Sequence, residues 1–252
     1  MAALLLWNAG IVLESVILFR LLKCRLFAHY PLFFAYMMVV LASSITLWPI
    51  YQYHPALYPQ FFWAQKFLSL LAGFGVLLEI VRKSFQKYPG ARTFATTVLA
   101  AMFVILCGYF VFRLLPSSGS AYEGFSRLER DFRAVQALAL CGVLIVISYY
   151  RIHVGRNLLG IMVGLGLYVG SKIISDELRG YLGPAFNAGW NATQPYTYLV
   201  CLLIWTFALW SYAPAATPAM PKEIDDGYEA FARQTQEALG TMRTAVSKAD
   251  RP

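Results

Sequence analysis

The chain is short of charge, of histidine and of cysteine. Charged residues make up 13% of its 252 residues, whereas hydrophobic residues make up 59%. A disordered chain or an ordinary soluble domain carries more charged surface, about 25% for the latter. So little charge excludes a large water-facing surface and favours a protein whose outer surface meets lipid.

The histidines and cysteines are too few and too scattered for metal chemistry. All three histidines lie in connectors between apolar runs, and none has a metal-ligand spacing to another. A haem-bearing bundle or an intramembrane metalloprotease needs such ligands inside its spans, so we predict no metal and no cofactor. We also expect free thiols and no disulfides, because no two cysteines fall in connectors on the outer side. The cysteines are Cys24, Cys107, Cys141 and Cys201.

Catalytic signatures are missing as well. The chain contains no G-x-S-x-G, no P-loop and no H-E-x-x-H pattern, which mark serine hydrolases, NTPases and zinc proteases. Enzymatic activity therefore has no positive support in the sequence. The net charge of +8 would suggest nucleic acid for a soluble protein, but these basic residues lie mostly at the ends of apolar runs. We expect no nucleic-acid partner.

Seven apolar runs fill most of the chain and predict a seven-helix transmembrane bundle. A bilayer core about 30 Å thick needs about 20 apolar residues in a helix, and the runs lack the alternation of barrel strands. The predicted fold class is all-α, with a membrane domain at residues 1–212 and the lipid bilayer as its partner. The predicted spans are residues 4–22, 31–49, 61–80, 94–115, 132–150, 158–174 and 196–212.

Basic residues in the connectors predict the orientation. They concentrate in the connectors after spans one, three and five, which the positive-inside rule places in the cytoplasm. The N-terminus is then outside and the C-terminus cytoplasmic, and we expect an integral protein of a bacterial inner membrane. Aromatic rings at the opposite boundary either anchor the protein in the headgroup layer or line a mouth for an apolar or cationic ligand. The basic residues are Arg20, Lys23, Arg25, Arg82, Lys83, Lys87, Arg92, Arg151 and Arg156.

Charged residues cluster where spans five and six approach the predicted outer surface. Lys172, Asp176 and Arg179 follow one another at helical spacing, and a ladder of local ion pairs is the simplest interpretation. The alternative is a polar pocket that opens to the outside and binds a ligand between the two spans. Its candidate residues are Asp131, Arg133, Gln136, Lys172, Asp176 and Glu177.

Four polar residues lie inside the predicted spans and support a second hypothesis, that of a path for a solute or proton. Such groups are costly in lipid and are usually functional when they are ionisable. Glu14 lies near the middle of span one, without a local partner. Gln65, Ser69 and Glu79 lie on one face of span three, at steps that fit a helix. This face either packs against neighbouring helices, with Glu79 paired to a nearby cation, or lines a path for a solute or proton.

The composition changes after the last span and predicts a cytoplasmic tail at residues 213–252. A linker rich in proline and alanine precedes apolar residues at helical spacing, which is typical of an amphipathic helix. The tail helix is either solvated or a docking helix for a cytoplasmic protein partner. The candidate partner-binding residues are Ile224, Tyr228, Phe231 and Met242.

The segment LLEIVRKSFQKYPG at residues 77–90 combines an acidic helix end, a basic turn and a proline. Together with the span count and orientation, it resembles the seven-helix sensory modules of bacterial signalling proteins, over residues 1–212. The resemblance implies a sensor-like module, although we expect no kinase or cyclase output domain here. The last predicted span contains no lysine, which argues against a retinal-binding pigment.

Three functions are open from the sequence. We favour a non-enzymatic sensor or receptor-like module that recognises a ligand at its outer side and acts through the tail. The second is a small solute or proton-coupled transporter, with Glu14 and the polar face of span three along its path. The third is an accessory subunit of a membrane complex. The sequence predicts no particular oligomeric state.

Overall fold

The structure, a computed structural model, describes residues 2–114, 121–152 and 154–212, together with residues 230, 233 and 234. Within these ranges, the side chains of residues 2–4, 110–114, 121–128, 176–177, 179–181, 183–188 and 191–192 are outside the description. The tail candidates Ile224, Tyr228, Phe231 and Met242 lie outside the described residues.

Every regular element in the described part of the chain is helical, which confirms the all-α prediction. The elements are α1 (Ala2–Lys23), a short 3-10 helix (Leu26–Ala28), α2 (Pro31–Tyr53), α3 (Tyr58–Ser84), α4 (Pro89–Leu114), α5 (Ala121–Tyr149) and α6 (Arg156–Ala208). Pro31 and Pro89 are the first residues of their helices, and Pro59 lies in the first turn of α3. Proline fits these positions because the first turn needs no N–H donor.

Six of the helices are long and apolar enough to cross a membrane, as in an integral membrane protein. The candidate spans are Leu5–Lys23, Pro31–Tyr53, Tyr58–Ser84, Pro89–Tyr109, Glu129–Tyr149 and Arg156–Ser175. Large apolar side chains such as Leu138 and Phe207 point outward, with 70% and 73% of their surface exposed. A surface of this kind aggregates in water but is matched to lipid.

The two ends of the bundle differ in chemistry. We call one the basic end, defined by Arg20, Lys23, Arg82, Lys83 and Arg156, and the other the aromatic end, defined by Trp7, Trp48, Tyr51, Tyr58 and Trp63. At the aromatic end, the rings of Trp7 and Trp48 lie 4.8 Å apart between centroids. At the basic end, Arg20 Nη2 donates a 2.8 Å hydrogen bond to the carbonyl of Trp210, which joins the end of α1 to the end of α6.

The 53-residue helix α6 folds back on itself. A straight helix of that length would be about 80 Å long and would separate residue 160 from residue 208 by about 70 Å. Instead, a Cβ atom on Gly160 would overlap that of Ala208, and Tyr168 and Tyr198 lie 6.1 Å apart between ring centroids. The helix therefore consists of a first arm (Arg156–Ser175) and an antiparallel second arm (residues 194–208).

The predicted connector between spans six and seven is thus helical in its backbone. The reversal lies between the two arms, in residues 176–193, a stretch that contains Gly183 and Pro184. Asn157 secures the far ends of the two arms. Its side-chain Nδ2 lies 2.7 Å from the carbonyl oxygens of both Ala208 and Ser211 and donates to them. Ala208 is the last residue of α6, where a backbone carbonyl has no partner within its own helix.

Large aromatic side chains fill the middle of the bundle. Trp205 of the second arm is 1% exposed, packs edge-on against Phe33 and Tyr36 of α2, and donates its indole N–H to the carbonyl of Ile161 at 3.3 Å. Beside this group, Phe74 of α3 and Phe132 of α5 lie 6.1 Å apart between centroids. This aromatic core adjoins the polar site described next, because Tyr36 also lines that site.

Candidate functional site

An ion cluster joins α3 to α5 near the aromatic end. Glu129 Oε1 accepts hydrogen bonds from Arg133 Nη2 at 2.6 Å and from Arg133 Nε at 3.2 Å. The other oxygen, Oε2, accepts one from Lys66 Nζ at 3.0 Å. One carboxylate therefore neutralises two cations, and the four-residue step from Glu129 to Arg133 is the spacing at which helical side chains meet.

Tyrosine and tryptophan rings surround the same cations. The Arg133 guanidinium lies 5.5 Å from the ring centroid of Tyr168 on the first arm of α6. Lys66 Nζ lies 5.4 Å from the ring of Trp63, a residue of the aromatic end. Such cation–π contacts hold a charged group in place without removing its positive charge.

The ion cluster borders a cavity of about 190 Å³, which we call the cation cavity. Three cationic side chains and one carboxylate line it, together with amides, a hydroxyl, two tyrosines and apolar groups from α2, α3, α5 and the first arm of α6. Its lining residues are Tyr36, Phe62, Gln65, Lys66, Ser69, Leu70, Gly73, Glu129, Arg133, Gln136, Leu165, Tyr168, Val169 and Lys172.

A second cavity of about 340 Å³ adjoins the first and is rich in hydroxyl groups, so we call it the hydroxyl cavity. The two cavities share five lining residues, and we call them together the polar chamber. The hydroxyl cavity is lined by Tyr36, Val40, Ser44, Gln65, Ser69, Tyr168, Ser171, Lys172, Gln194, Pro195 and Tyr198. Both arms of α6 therefore contribute to the chamber.

Glu14 of α1 lies behind the hydroxyl cavity. Its Oε1 accepts hydrogen bonds from the Tyr198 hydroxyl at 2.6 Å and from Ser44 Oγ at 3.2 Å, and both donors line the cavity. The side chain is 1% exposed, and its second oxygen has no hydrogen-bond partner among the described residues. Glu14 is thus a buried acid with an unused acceptor oxygen, and it contacts the chamber through the hydroxyl groups of Tyr198 and Ser44.

Glu79 is used differently, although it belongs to the same predicted polar face of α3. Its Oε2 accepts the backbone N–H of Phe33 at 2.8 Å, and its Oε1 accepts that of Leu32 at 3.3 Å. These amides are in the first turn of α2, where the helix supplies no acceptor of its own and the helix dipole favours a negative charge. Glu79 therefore caps α2 near the basic end, and it does not line the chamber.

The structure brings together five of the ten residues that the sequence singled out as two separate groups. Arg133, Gln136 and Lys172 line the cation cavity beside Gln65 and Ser69 of α3. Asp131 is partly buried on α5 but does not line either cavity. The side chains of Asp176 and Glu177 lie outside the described part of the chain.

Several residues of the chamber were missed by the sequence analysis. Lys66 and Glu129 had a usable signal, because a lysine inside an apolar run and a Glu four residues before an Arg both predict pairing. Tyr36, Tyr168 and Tyr198 had none, since a tyrosine within an apolar span gives no indication of the side that it faces.

No group of three or more His, Cys, Asp or Glu side chains suited to a metal occurs among the described residues. The four cysteines are free. No protein-family model, curated protein or solved structure matches the chain. Fold and site together define a helical integral membrane protein with a cation-rich polar chamber in its bundle.

Proposed function

We propose that the protein is a seven-span, receptor-like membrane protein that binds a small polar ligand in the polar chamber. The observation that carries this proposal is the chamber itself, in which charged, amide and hydroxyl groups from four helices converge. Buried polar groups in a membrane domain are costly unless they have partners. A ligand in the chamber would provide those partners and would explain why the groups converge.

The second arm of α6 supports a seventh crossing. It runs antiparallel to the first arm from the chamber to the basic end, as the contacts of Tyr198, Trp205 and Ala208 show. Seven crossings place the termini on opposite sides of the membrane. With the basic end in the cytoplasm, the N-terminus and the chamber face the outside, and we propose a bacterial inner membrane.

The packed core favours binding over passage. Phe33, Phe74 and Trp205 are almost completely buried in the part of the bundle between the chamber and the basic end. A solute that moved through the bundle would have to displace these rings, and close-packed interiors resist such displacement. A receptor needs no such path.

The tail supplies the proposed output. Residues 213–252 follow directly from the second arm of α6, which itself lines the chamber, and their apolar spacing suits a docking helix for a cytoplasmic protein. Deletion of residues 213–252 should abolish recovery of a crosslinked partner in a pull-down while membrane insertion is retained. Unchanged recovery would count against this output.

Native mass spectrometry of the purified full-length chain tests the ligand. We expect a bound small molecule on the wild-type protein and its loss in Ser69→Phe, because Ser69 lines both cavities and a phenyl ring there occupies the shared space.

The matched control is Ser148→Phe, which places the same ring at an exposed position of α5. It should retain the adduct. The proposal fails if all three proteins give the same spectrum, or if the chamber variant is folded and still carries the molecule.

Glu14 favours transport as the second candidate function, because a buried acid beside a solute cavity is what proton coupling needs. Reconstituted vesicles that contain the wild-type chain would then show a solute flux that Glu14→Gln reduces. The absence of a difference between the two proteins would remove this candidate.

A further inference from the structure

The polar chamber carries more positive than negative charge among the described side chains. Glu129 is shared between Lys66 and Arg133, so one carboxylate serves two cations. Lys172 lines both cavities, yet no described carboxylate oxygen lies within 4.0 Å of its Nζ. An excess of partly buried cations is unfavourable and favours an additional anion.

A second observation concerns hydrogen-bond acceptors. Gln65 lines both cavities, and its Oε1 is buried without a hydrogen-bond partner among the described residues. An unpaired buried acceptor costs about 1–3 kcal/mol. The shared wall of the chamber thus presents a cation, Lys172, and an acceptor, Gln65, to whatever occupies it.

We propose that the ligand is a small organic oxyanion that also carries a hydrogen-bond donor, as a 2-hydroxycarboxylate does; this rests on the proposed function. Its oxyanion group binds Lys172, and its hydroxyl donates to Gln65. Ammonium–carboxylate hydrogen bonds are about twice as strong as neutral ones. Lys172 and Gln65 line both the cation cavity of about 190 Å³ and the hydroxyl cavity of about 340 Å³, so the chamber has room for a small organic anion, since a water takes about 30 Å³.

The same oxyanion chemistry occurs in a soluble solute and in the headgroup of an anionic lipid. A soluble solute is used as the probe. The full chain is placed in phosphatidylcholine nanodiscs, and its melting midpoint is measured from tryptophan fluorescence at constant ionic strength. A parallel set of nanodiscs contains phosphatidylglycerol, which shows whether a lipid headgroup occupies the chamber and competes with the probe.

Three probes of similar size separate charge from shape: 2-hydroxypropanoate, 1,2-propanediol and protonated 1-amino-2-propanol. Among these three, we expect a saturable rise in the melting midpoint with 2-hydroxypropanoate alone; a fourth probe, propanoate, lacks the hydroxyl donor and should give a weaker rise. Equal effects of all probes, or a response to the cationic probe alone, would overturn the proposal.

Substitutions locate the effect. Lys172→Gln should weaken binding of 2-hydroxypropanoate about tenfold or more, whereas Lys172→Arg keeps the charge and should restore most of it. Lys87→Gln removes an exposed lysine near the basic end and is the matched control. If Lys172→Gln binds the probe as the wild type does, the inference is wrong.

Asp176 provides the rival explanation, because it lies four residues after Lys172 on the same helix. If Asp176 were the missing counter-ion, the wild-type chain would bind no anion and Asp176→Asn would create the binding; that pattern overturns the inference. Binding by the wild type at an affinity that Asp176→Asn leaves unchanged or tightens supports it.

The outcome for the proposed function is read separately. Suppose that Ser69→Phe removes the adduct from the native mass spectrum but the probes show no preference for the anion. The proposed function is then supported, and only the identification of the ligand as an oxyanion is rejected. Loss of both results rejects both proposals.

Discussion

At the scale of single residues, two glycines allow the arms of α6 to touch. A Cβ atom on Gly164 would overlap the Trp205 indole, with Cδ1 of the ring only 2.7 Å away. Small residues permit this approach in lipid, where packing and hydrogen bonds hold helices together. Trp205 in turn packs edge-on against Tyr36, which lines the chamber. The closeness of the arms thus fixes one wall of the site.

Gly164→Ala should destabilise the protein by about 1–3 kcal/mol, because the added methyl group forces the indole or the backbone to shift. Gly170→Ala is the matched control, since a Cβ atom there meets nothing within 4 Å and alanine favours the helix. Unfolding in mixed SDS micelles measures both free energies. Equal stability of the two variants would contradict the packing described here.

Tyr198 is the stronger of the two hydrogen-bond donors to Glu14, judged by distance. Tyr198→Phe should cost about 1–2 kcal/mol, because the buried carboxyl group keeps only Ser44 as a donor. Tyr53→Phe removes a hydroxyl from a ring that is 78% exposed and should change little. The two unfolding curves are compared under the same conditions; coincident curves would refute a role for the Tyr198 hydroxyl.

At the scale of elements, α2 is capped by a side chain from another helix. The side chain of Tyr30, the N-cap residue of α2, makes no hydrogen bond to the first turn of the helix. The carboxylate of Glu79 in α3 accepts hydrogen bonds from that turn instead. The acid was noticed in the sequence because it breaks an apolar run. Its hydrogen bonds show that an ionisable residue in a span can cap the start of a neighbouring helix.

Glu79→Ala should therefore expose the first turn of α2. We expect amide hydrogen exchange at Leu32 and Phe33 to accelerate about tenfold or more, and the protein to lose about 1–3 kcal/mol. Glu79→Gln keeps acceptor capacity at one oxygen and should show a smaller effect. Arg82→Ala alters a neighbouring exposed charge and serves as the control. Exchange that is as slow in Glu79→Ala as in the control would exclude capping.

The sequence predicted the helices well because apolar length and proline position determine them directly. Pro31 begins both the predicted second span and α2, and Pro89 begins α4 shortly before the predicted span that starts at residue 94. It predicted the chamber only in part. Arg133, Gln136 and Lys172 stand out as polar residues, but Tyr36 and Trp205 do not. In lipid both faces of a helix are apolar, so hydrophobic periodicity gives little information on which face is buried.

At the scale of the whole molecule, the charge of the two ends and the number of crossings together predict the side of the membrane on which each connector lies. Alkaline phosphatase fused after His54, at the aromatic end, should be active outside the cytoplasm. Fusions after Lys87 and after Tyr212, near the basic end, should be inactive.

The fusion after Tyr212 decides the seventh crossing. If it behaves like the fusion after His54, the second arm of α6 does not cross and the count is even. A fluorescent protein fused at the same sites, which fluoresces only in the cytoplasm, is the control for expression and should give the opposite pattern.

The bond between Glu14 and Tyr198 also has a consequence for biosynthesis. The two residues are separated by 184 positions, so at about 5–20 residues per second the acid waits roughly 10–40 s for its strongest donor. During that interval α1 is already synthesised while its buried carboxyl group lacks a partner from the last arm. Stable insertion of the first helix therefore depends on the synthesis of the last, and ribosome-stalled chains that end before residue 198 should leave α1 the most easily extracted helix.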